Sequence, residues 1–241
     1  MNDASYHLIA GLLDLTVWGG ELVGGENLPR SGPAVFIANH ADAIGPIAVA
    51  CSIPLRMVSW IVADMVEKER AAAYLQWDLI ERQLHLQAPV AGWVAKALSY
   101  LTVPFLRSLG CIPVQRGNYE RMQSTLRLSL EVLRQGKYLL VFPEDNLLPM
   151  DPLTRMQPFQ RTFVRLGEMY YEEIGERLEF FPVAVHPSGF VQVGKGILHN
   201  PYNPPGLERH RLKELVENTV KRMYLQLESG ELNGAWSLER K

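Results

Sequence analysis

Two uninterrupted apolar runs constrain the fold of this chain more than any other feature. They cover residues 34–38 (AVFIA) and 138–142 (YLLVF), and such runs are typical of strands that are buried on both faces of a parallel sheet. Residues 119–135 carry apolar side chains at helical spacing: Met122, Leu126, Leu130 and Leu133. Strands that alternate with helices predict an α/β fold, with helices flanking a mainly parallel central β-sheet.

The rest of the chain continues this alternation and predicts a single domain. Helical patterns cover residues 5–18, 43–52, 65–83, 158–174 and 207–228, and strand patterns cover 56–63, 111–114, 179–185 and 189–193. A length of 241 residues is enough for one large core. We expect an N-terminal amphipathic helix over residues 1–22, whose apolar stretch Asp14 and Glu21 interrupt. The α/β domain is expected over residues 23–241.

A second apolar stretch, residues 88–106, approaches the length that is needed to cross a membrane. It contains Pro89, Gly92 and Pro104 and one charge, at Lys96, which favours a core helix or an interfacial segment over a span. Both alternatives stay open, and the second predicts peripheral contact with a bilayer. We expect a cytoplasmic protein, on the inner face of the membrane if this segment is interfacial.

Composition argues against several classes of function. A formal net charge of -2 and a sequence pI near 6.3 do not suit a nucleic-acid-binding protein. The two cysteines, Cys51 and Cys111, lie among apolar residues, and their spacing favours neither a disulfide nor a zinc site. We therefore expect neither a metal nor a redox cofactor.

Polar residues that can carry chemistry follow the predicted strands, where α/β sheets bind their ligands. His40 comes directly after the first buried strand, and a histidine held there can act as a general base near neutral pH. Arg116 follows a short strand and suits a phosphate or carboxylate oxygen. Glu144 and Asp145 follow the second buried strand and are either solvated loop carboxylates or part of a site.

In their order along the chain, these segments resemble the motifs of the lysophosphatidate-acyltransferase-like family of glycerolipid acyltransferases. Asn39-His40 resembles the start of its NHxxxxD motif, and residues 110–116 (GCIPVQR) resemble its second motif. Phe142-Pro143-Glu144 resembles the third motif, FPEGTRS. Further similarities lie at residues 25–29, 158–159, 181–184 and 191–194, so the resemblance extends over about residues 23–197.

The resemblance implies an acyltransferase of phospholipid biosynthesis. The donor would be an acyl thioester, on coenzyme A or acyl carrier protein, and the acceptor a lipid-like hydroxyl such as that of a lysophospholipid or glycerol phosphate. His40 would deprotonate that hydroxyl, which then attacks the thioester carbonyl. The residues expected to shape the acceptor site are Asn39, Asp42, Arg116 and Glu144.

Two motifs are altered at positions that matter for this chemistry. The family's aspartate, five residues after the histidine, orients the imidazole, and here that position is Gly45. In the third motif Asp145 replaces glycine, and Leu147 replaces an arginine that would be a phosphate ligand. One active-site loop has thus lost a carboxylate and another has gained one.

Three explanations of the altered site stay open. Asp145 orients His40 from the neighbouring loop, or Asp42 does so, although Asp42 better fits the N-cap of the following helix. Alternatively no acid orients the histidine, a loss that lowers the rate of a related triad by about four orders of magnitude. The first explanation predicts an acyltransferase in which Asp145 partners His40. The last predicts a lipid- or acyl-chain-binding protein without turnover, and a hydrolase is a further hypothesis.

Overall fold

A computed structural model of the protein describes residues 3–41, 44–81, 89–115 and 119–230. One sheet organises them. Its strands are β1 (Glu21–Val23), β2 (Ala34–Ala38), β3 (Met57–Val62), β4 (Ile112–Val114), β5 (Tyr138–Val141), β6 (Glu179–His186), β7 (Phe190–Val193) and β8 (Ile197–Leu198).

The strand order is β1-β7-β6-β2-β5-β3-β4, and β8 pairs with β6. From β6 to β4 every neighbouring pair is parallel. β7 and β8 run antiparallel to β6, and β1 is parallel to β7. The predicted α/β fold with a mainly parallel sheet is therefore confirmed.

Seven helices precede, connect or follow these strands in the described part of the chain. They are α1 (Asp3–Leu13), α2 (Ile44–Ser52), α3 (Lys68–Leu75), α4 (Val90–Leu109), α5 (Tyr119–Arg134), α6 (Arg165–Ile174) and α7 (Pro205–Ser229). α1 continues as a π-helical segment, Asp14–Trp18, and α3 continues as another, Gln76–Glu81. Short 3-10 turns lie at Gly25–Asn27, Ala63–Met65 and Arg161–Val164.

β2 is the central strand, and all five of its residues are buried. Because successive side chains of a strand point to opposite faces, its apolar run contributes to two cores. Val35 and Ile37 pack in the core beneath α5, α6 and α7, whereas Phe36 packs in the core beneath α2. This burial on both faces is the reason that the run contains no polar residue.

The N-terminal helix packs against the α/β domain. The indole Nε1 of Trp18 donates a hydrogen bond to the hydroxyl of Ser52, at the end of α2, over 2.8 Å. The expected boundary between residues 22 and 23 falls inside β1, whose three residues pair with β7. Residues 21–23 therefore belong to the sheet.

The stretch for which two alternatives were open forms α4, which contains Pro104 within its twenty residues. In the described ranges, no helix combines the length and the apolar content that crossing a bilayer requires. Both cysteines are free thiols, and burial raises the pKa of each to about 11. They are therefore protonated at neutral pH.

A buried carboxylate stabilises the start of α7. The carboxylate of Glu208 is fully buried and accepts hydrogen bonds from Arg211, the Asn200 amide and Asn203. Burial alone would raise the pKa of Glu208, but these hydrogen bonds outweigh it and lower the pKa to about 2. The ion pair therefore stabilises the fold as long as the carboxyl is ionised.

This depressed pKa predicts a pH-dependent stability. Below an ordinary pKa of 4.5 the unfolded chain binds a proton that the folded chain resists, so the stabilisation is present above pH 4.5 and declines as pH falls toward 2. Between these pH values we expect the unfolding free energy of the native protein to fall by about 3 kcal/mol more than that of Glu208→Gln. Urea unfolding at several pH values measures the difference. Glu172→Gln, at an exposed position of α6, should follow the native curve, and parallel curves for Glu208→Gln would contradict the assignment.

Candidate active site

Asn39 fixes the backbone at the end of β2. Its side chain is buried, its Nδ2 donates to the carbonyl oxygen of Val185 at 2.9 Å, and its Oδ1 accepts from the Val185 N–H at 2.7 Å. The side chain thus extends the pairing of β2 with β6 beyond Ala38. Asn39 was predicted to bind substrate, but its amide nitrogen and oxygen are both hydrogen-bonded to Val185. Its side chain therefore positions the backbone of the next residue, His40.

Glu144 joins the ends of two strands. Its carboxylate is buried, and Oε1 accepts a hydrogen bond from the backbone N–H of His40 at 2.6 Å. Oε2 accepts another from the backbone N–H of Gln157 at 2.9 Å. One side chain therefore connects the loop after β2, the loop after β5 and the segment that returns toward α6.

A short antiparallel pairing holds Glu144 in this position. Glu144 forms a β-bridge with Phe159. The N–H of Asp145 donates to the Pro158 carbonyl and the N–H of Gln160 to the Pro143 carbonyl, at 2.9 and 2.8 Å. The residues between these two segments form a closed loop at the carboxyl edge of the sheet.

A contact between this pairing and α7 could not be predicted from the sequence. Glu217 of α7 accepts the Phe159 N–H at 3.0 Å and pairs with Lys213 and Lys221 at 2.7 and 2.8 Å. Burial raises the pKa of Glu217, but the hydrogen bonds from the two lysines and the Phe159 amide outweigh it and lower the pKa. The spacing of these three charged residues indicates only ion pairs along one helix face.

His40 is exposed to solvent in the described part of the chain. Its ring lies edge to face with Phe142, with ring centroids 5.1 Å apart. None of the described residues makes a hydrogen bond to its ring nitrogens. The backbone of His40 is thus held by Glu144, while Phe142 is the ring contact within the described part of the chain.

The side chain of Asp145, the predicted partner of His40, accepts a hydrogen bond within its own turn. Its Oδ1 accepts from the backbone N–H of Leu147 at 3.2 Å, and its carbonyl oxygen accepts from Leu148 at 3.0 Å. No hydrogen bond links Asp145 to the imidazole in the structure. A relocated dyad therefore requires this side chain to leave the turn, and it stays a prediction.

Two other predicted site residues, Asp42 and Arg116, lie outside the described residues. Gly45 lies inside them and explains one departure from the motif. A Cβ atom built on Gly45 would meet the His40 carbonyl oxygen at 1.8 Å and its carbonyl carbon at 2.6 Å. No side chain fits this approach, so an aspartate at position 45 would displace the backbone that carries His40.

The described residues contain no group of three or more histidine, cysteine, aspartate or glutamate side chains that suits a metal ion. The arrangement combines an exposed imidazole, a rigid backbone beneath it and an open edge of the sheet. Such an imidazole can take a proton from a hydroxyl that approaches from solvent.

Two comparisons with known proteins find similarities to acyltransferases. The acyltransferase family model matches residues 72–185, a span that includes the Glu144 loop and most of β6. Over this span, which is just under half of its length, the chain is similar to the acyltransferase family. The matched residues begin after His40 and Gly45, the part in which the first motif departs from the family pattern.

The structure of this acyltransferase-like chain is similar to the crystal structure of PlsC from Thermotoga maritima, a 1-acyl-sn-glycerophosphate (LPA) acyltransferase. The TM-score is 0.56 at 16% sequence identity, over 94% of this chain and 79% of the PlsC chain. At this identity the likeness establishes the fold. A comparison with curated protein sequences finds no match.

Because Glu144 binds two backbone N–H groups, its removal should lower the stability of the protein strongly. Glu144→Ala leaves the N–H groups of His40 and Gln157 without their acceptor, and we expect the free energy of unfolding to fall by about 2–4 kcal/mol. Amide hydrogen exchange at His40 and Gln157 should accelerate together. Asp145→Ala, which removes one longer hydrogen bond in the same loop, should have a smaller effect. Unchanged exchange in Glu144→Ala would show that the carboxylate does not hold the two loops.

Proposed function

We propose that this protein transfers a fatty acyl group from an acyl thioester to a hydroxyl group of a lipid-like acceptor, with His40 as the general base. The observation that carries the proposal is the position of His40. It follows the central strand of an acyltransferase-like fold, its backbone N–H is bound by the third-motif residue Glu144, and its ring faces solvent.

The reaction needs one group that first accepts a proton and later donates it. His40 takes the proton of the acceptor hydroxyl, and the oxygen attacks the thioester carbonyl carbon. The tetrahedral intermediate breaks its carbon–sulfur bond, and the protonated imidazole returns the proton to the thiolate. The products are an ester and a free thiol, on coenzyme A or acyl carrier protein, so the step needs no metal or redox cofactor.

The other site residues have supporting roles in this proposal. Asn39 and Glu144 hold the backbone of His40, as their hydrogen bonds to Val185 and Gln157 support. Arg116 binds the acceptor, and Asp145 orients the imidazole once a bound substrate draws it out of its turn. If Asp145 keeps its turn, Asp42 is the remaining candidate for that second role.

A second candidate function is binding of lipids or acyl chains without turnover. Two observations favour it. No described carboxylate is bonded to the His40 ring, and the close approach of Gly45 to the His40 carbonyl excludes the aspartate of the family motif. The fold and the open edge of the sheet serve binding equally well, because function resides in the site rather than in the fold.

Thioester consumption separates the two candidates. With a long-chain acyl-CoA and a panel of lysolipid acceptors, we expect acceptor-dependent thiol release that His40→Ala lowers by 10² to 10⁴, the typical range for a general base. His210→Ala, at an exposed position of α7, should retain the native rate. Acyl-CoA binding without thiol release would instead support the binding protein.

Two further variants test the orientation of the imidazole in the same assay. A loss in Asp145→Asn as large as in His40→Ala would identify the relocated dyad, and an unchanged rate would exclude it. Gly45→Asp should be less stable and gain no activity, since the new side chain collides with the His40 carbonyl. A gain of turnover in Gly45→Asp would contradict that packing.

We also propose that α4 touches a bilayer. Apolar residues recur at helical spacing along its exposed face: Val90, Trp93, Val94, Ala97, Tyr100, Leu101 and Pro104. Trp93 is 78% exposed and Leu101 is 73% exposed, and nothing in the described part of the chain covers them. Tryptophan and tyrosine favour the membrane interface, where the aromatic ring is apolar and its polar group meets water.

Sedimentation with phospholipid vesicles tests this proposal. Because Trp93 and Leu101 are exposed, the double variant Trp93→Glu/Leu101→Glu should keep the native melting temperature and lose vesicle binding at least tenfold. Leu207→Glu, an exposed apolar position of α7, is the matched control and should bind like the native protein. Phe105 is half-buried, so a charge there should destabilise the fold. Full vesicle binding by the double variant would exclude α4 as the membrane contact.

A further inference from the structure

The loop that follows the Glu144 segment exposes a group of large apolar side chains. We name residues 147–153 the apolar loop. Leu147 is 89% exposed and Leu153 is 73% exposed, and Leu148 and Met150 are also exposed. The loop begins three residues after Glu144, whose carboxylate binds the His40 backbone. These side chains therefore lie on the loop that Glu144 joins to His40.

Hydrogen bonds hold the apolar loop in this arrangement. At its start, Asp145 accepts from the Leu147 N–H, as described above. Farther along, the Oδ1 of Asp151 accepts from the Leu153 N–H at 2.9 Å. The N–H of Asp151 donates to the Met156 carbonyl at 2.8 Å, and the Met156 side chain is fully buried. The loop is anchored from both ends, so its apolar side chains are held away from the core.

The charges of this segment do not suit an anionic ligand. Asp145 and Asp151 are both carboxylates, and each accepts hydrogen bonds from its own turn. Lys221 is paired with Glu217 at 2.8 Å and lies 3.8 Å from Asp151. Arg155 is an exposed cation, and it lies two residues beyond the end of the apolar loop.

A phosphate group needs cationic or N–H donors and is repelled by nearby carboxylates. An aliphatic chain needs neither, and it gains by covering exposed apolar surface. The apolar loop itself contains no cation: it offers leucine and methionine side chains, with Asp145 before it and Asp151 within it. Its surface therefore suits an uncharged, long-chain molecule better than a phosphorylated one.

We propose that the apolar loop selects an acceptor whose hydroxyl-bearing end carries no phosphate, a long-chain compound of the monoacylglycerol type. This inference rests on the proposed acyl transfer and specifies its acceptor. The hydroxyl-bearing end of the acceptor lies against Leu147 and its hydroxyl reaches His40, while the adjoining chain packs on Leu148 and Met150. The hydroxyl oxygen forms the new ester bond, the thioester carbon–sulfur bond breaks, and the proton passes through His40 to the thiolate.

The test compares monooleoylglycerol with oleoyl lysophosphatidate as acceptors for one acyl-CoA. We expect kcat/KM to be at least tenfold higher for the uncharged acceptor. Leu147→Arg should shift that ratio toward the phosphorylated acceptor by about tenfold, because it adds a cation to the loop. Leu147→Gln is the matched polar control and should lower both rates without reversing the preference. A native preference for lysophosphatidate, or a ratio that Leu147→Arg leaves unchanged, would overturn the proposal.

Binding of two analogues whose free hydroxyl groups are methylated, and which therefore cannot be acylated, distinguishes this proposal from the proposed activity. If neither acceptor is acylated but the uncharged analogue binds at least tenfold more tightly, the activity is refuted and the selection by the loop stands. If the phosphorylated analogue binds more tightly, the selection is refuted. If Leu147→Arg only releases the protein from vesicles that contain no acceptor, the loop contacts a bilayer and the proposal is also refuted.

Discussion

The buried carboxylate of Glu144 is the contact on which the candidate site depends. It accepts the backbone N–H of His40 from one side and that of Gln157 from the other. A charged acceptor that is buried and satisfied by two N–H donors fixes both loops, because leaving either donor unpaired would be costly. The exposed imidazole can therefore be rigidly placed although its ring makes no hydrogen bond to the described residues.

The same carboxylate connects the site to the rest of the sheet. Its short pairing with Phe159 is braced by Glu217 of α7, whose own charge is balanced by two lysines. A helix on the opposite side of the central strand from α2 thus supports the loop beside His40. A change in α7 is expected to act on the site through this contact rather than through direct contact with a substrate.

The altered first motif has a structural cause that the motif alone does not reveal. Gly45 comes so close to the His40 carbonyl that any side chain would collide with it. The backbone arrangement of this chain therefore admits no aspartate at position 45. Position 45 therefore supplies no carboxylate to orient the imidazole, and the two acidic residues of the third-motif loop, Glu144 and Asp145, already accept other hydrogen bonds.

The sequence by itself determined the strands that carry the site. The apolar runs of β2 and β5 predict central strands because only burial on both faces tolerates such a run. Conversely, β1 has three residues and no pattern of its own, and only the packed structure shows that α4 buries one face and exposes the other. Tertiary structure alone decided that Glu144 holds two loops together, that Asp145 closes a turn and that Gly45 admits no side chain. These contacts join residues as far as 104 positions apart, and periodicity reports only on neighbours along one element.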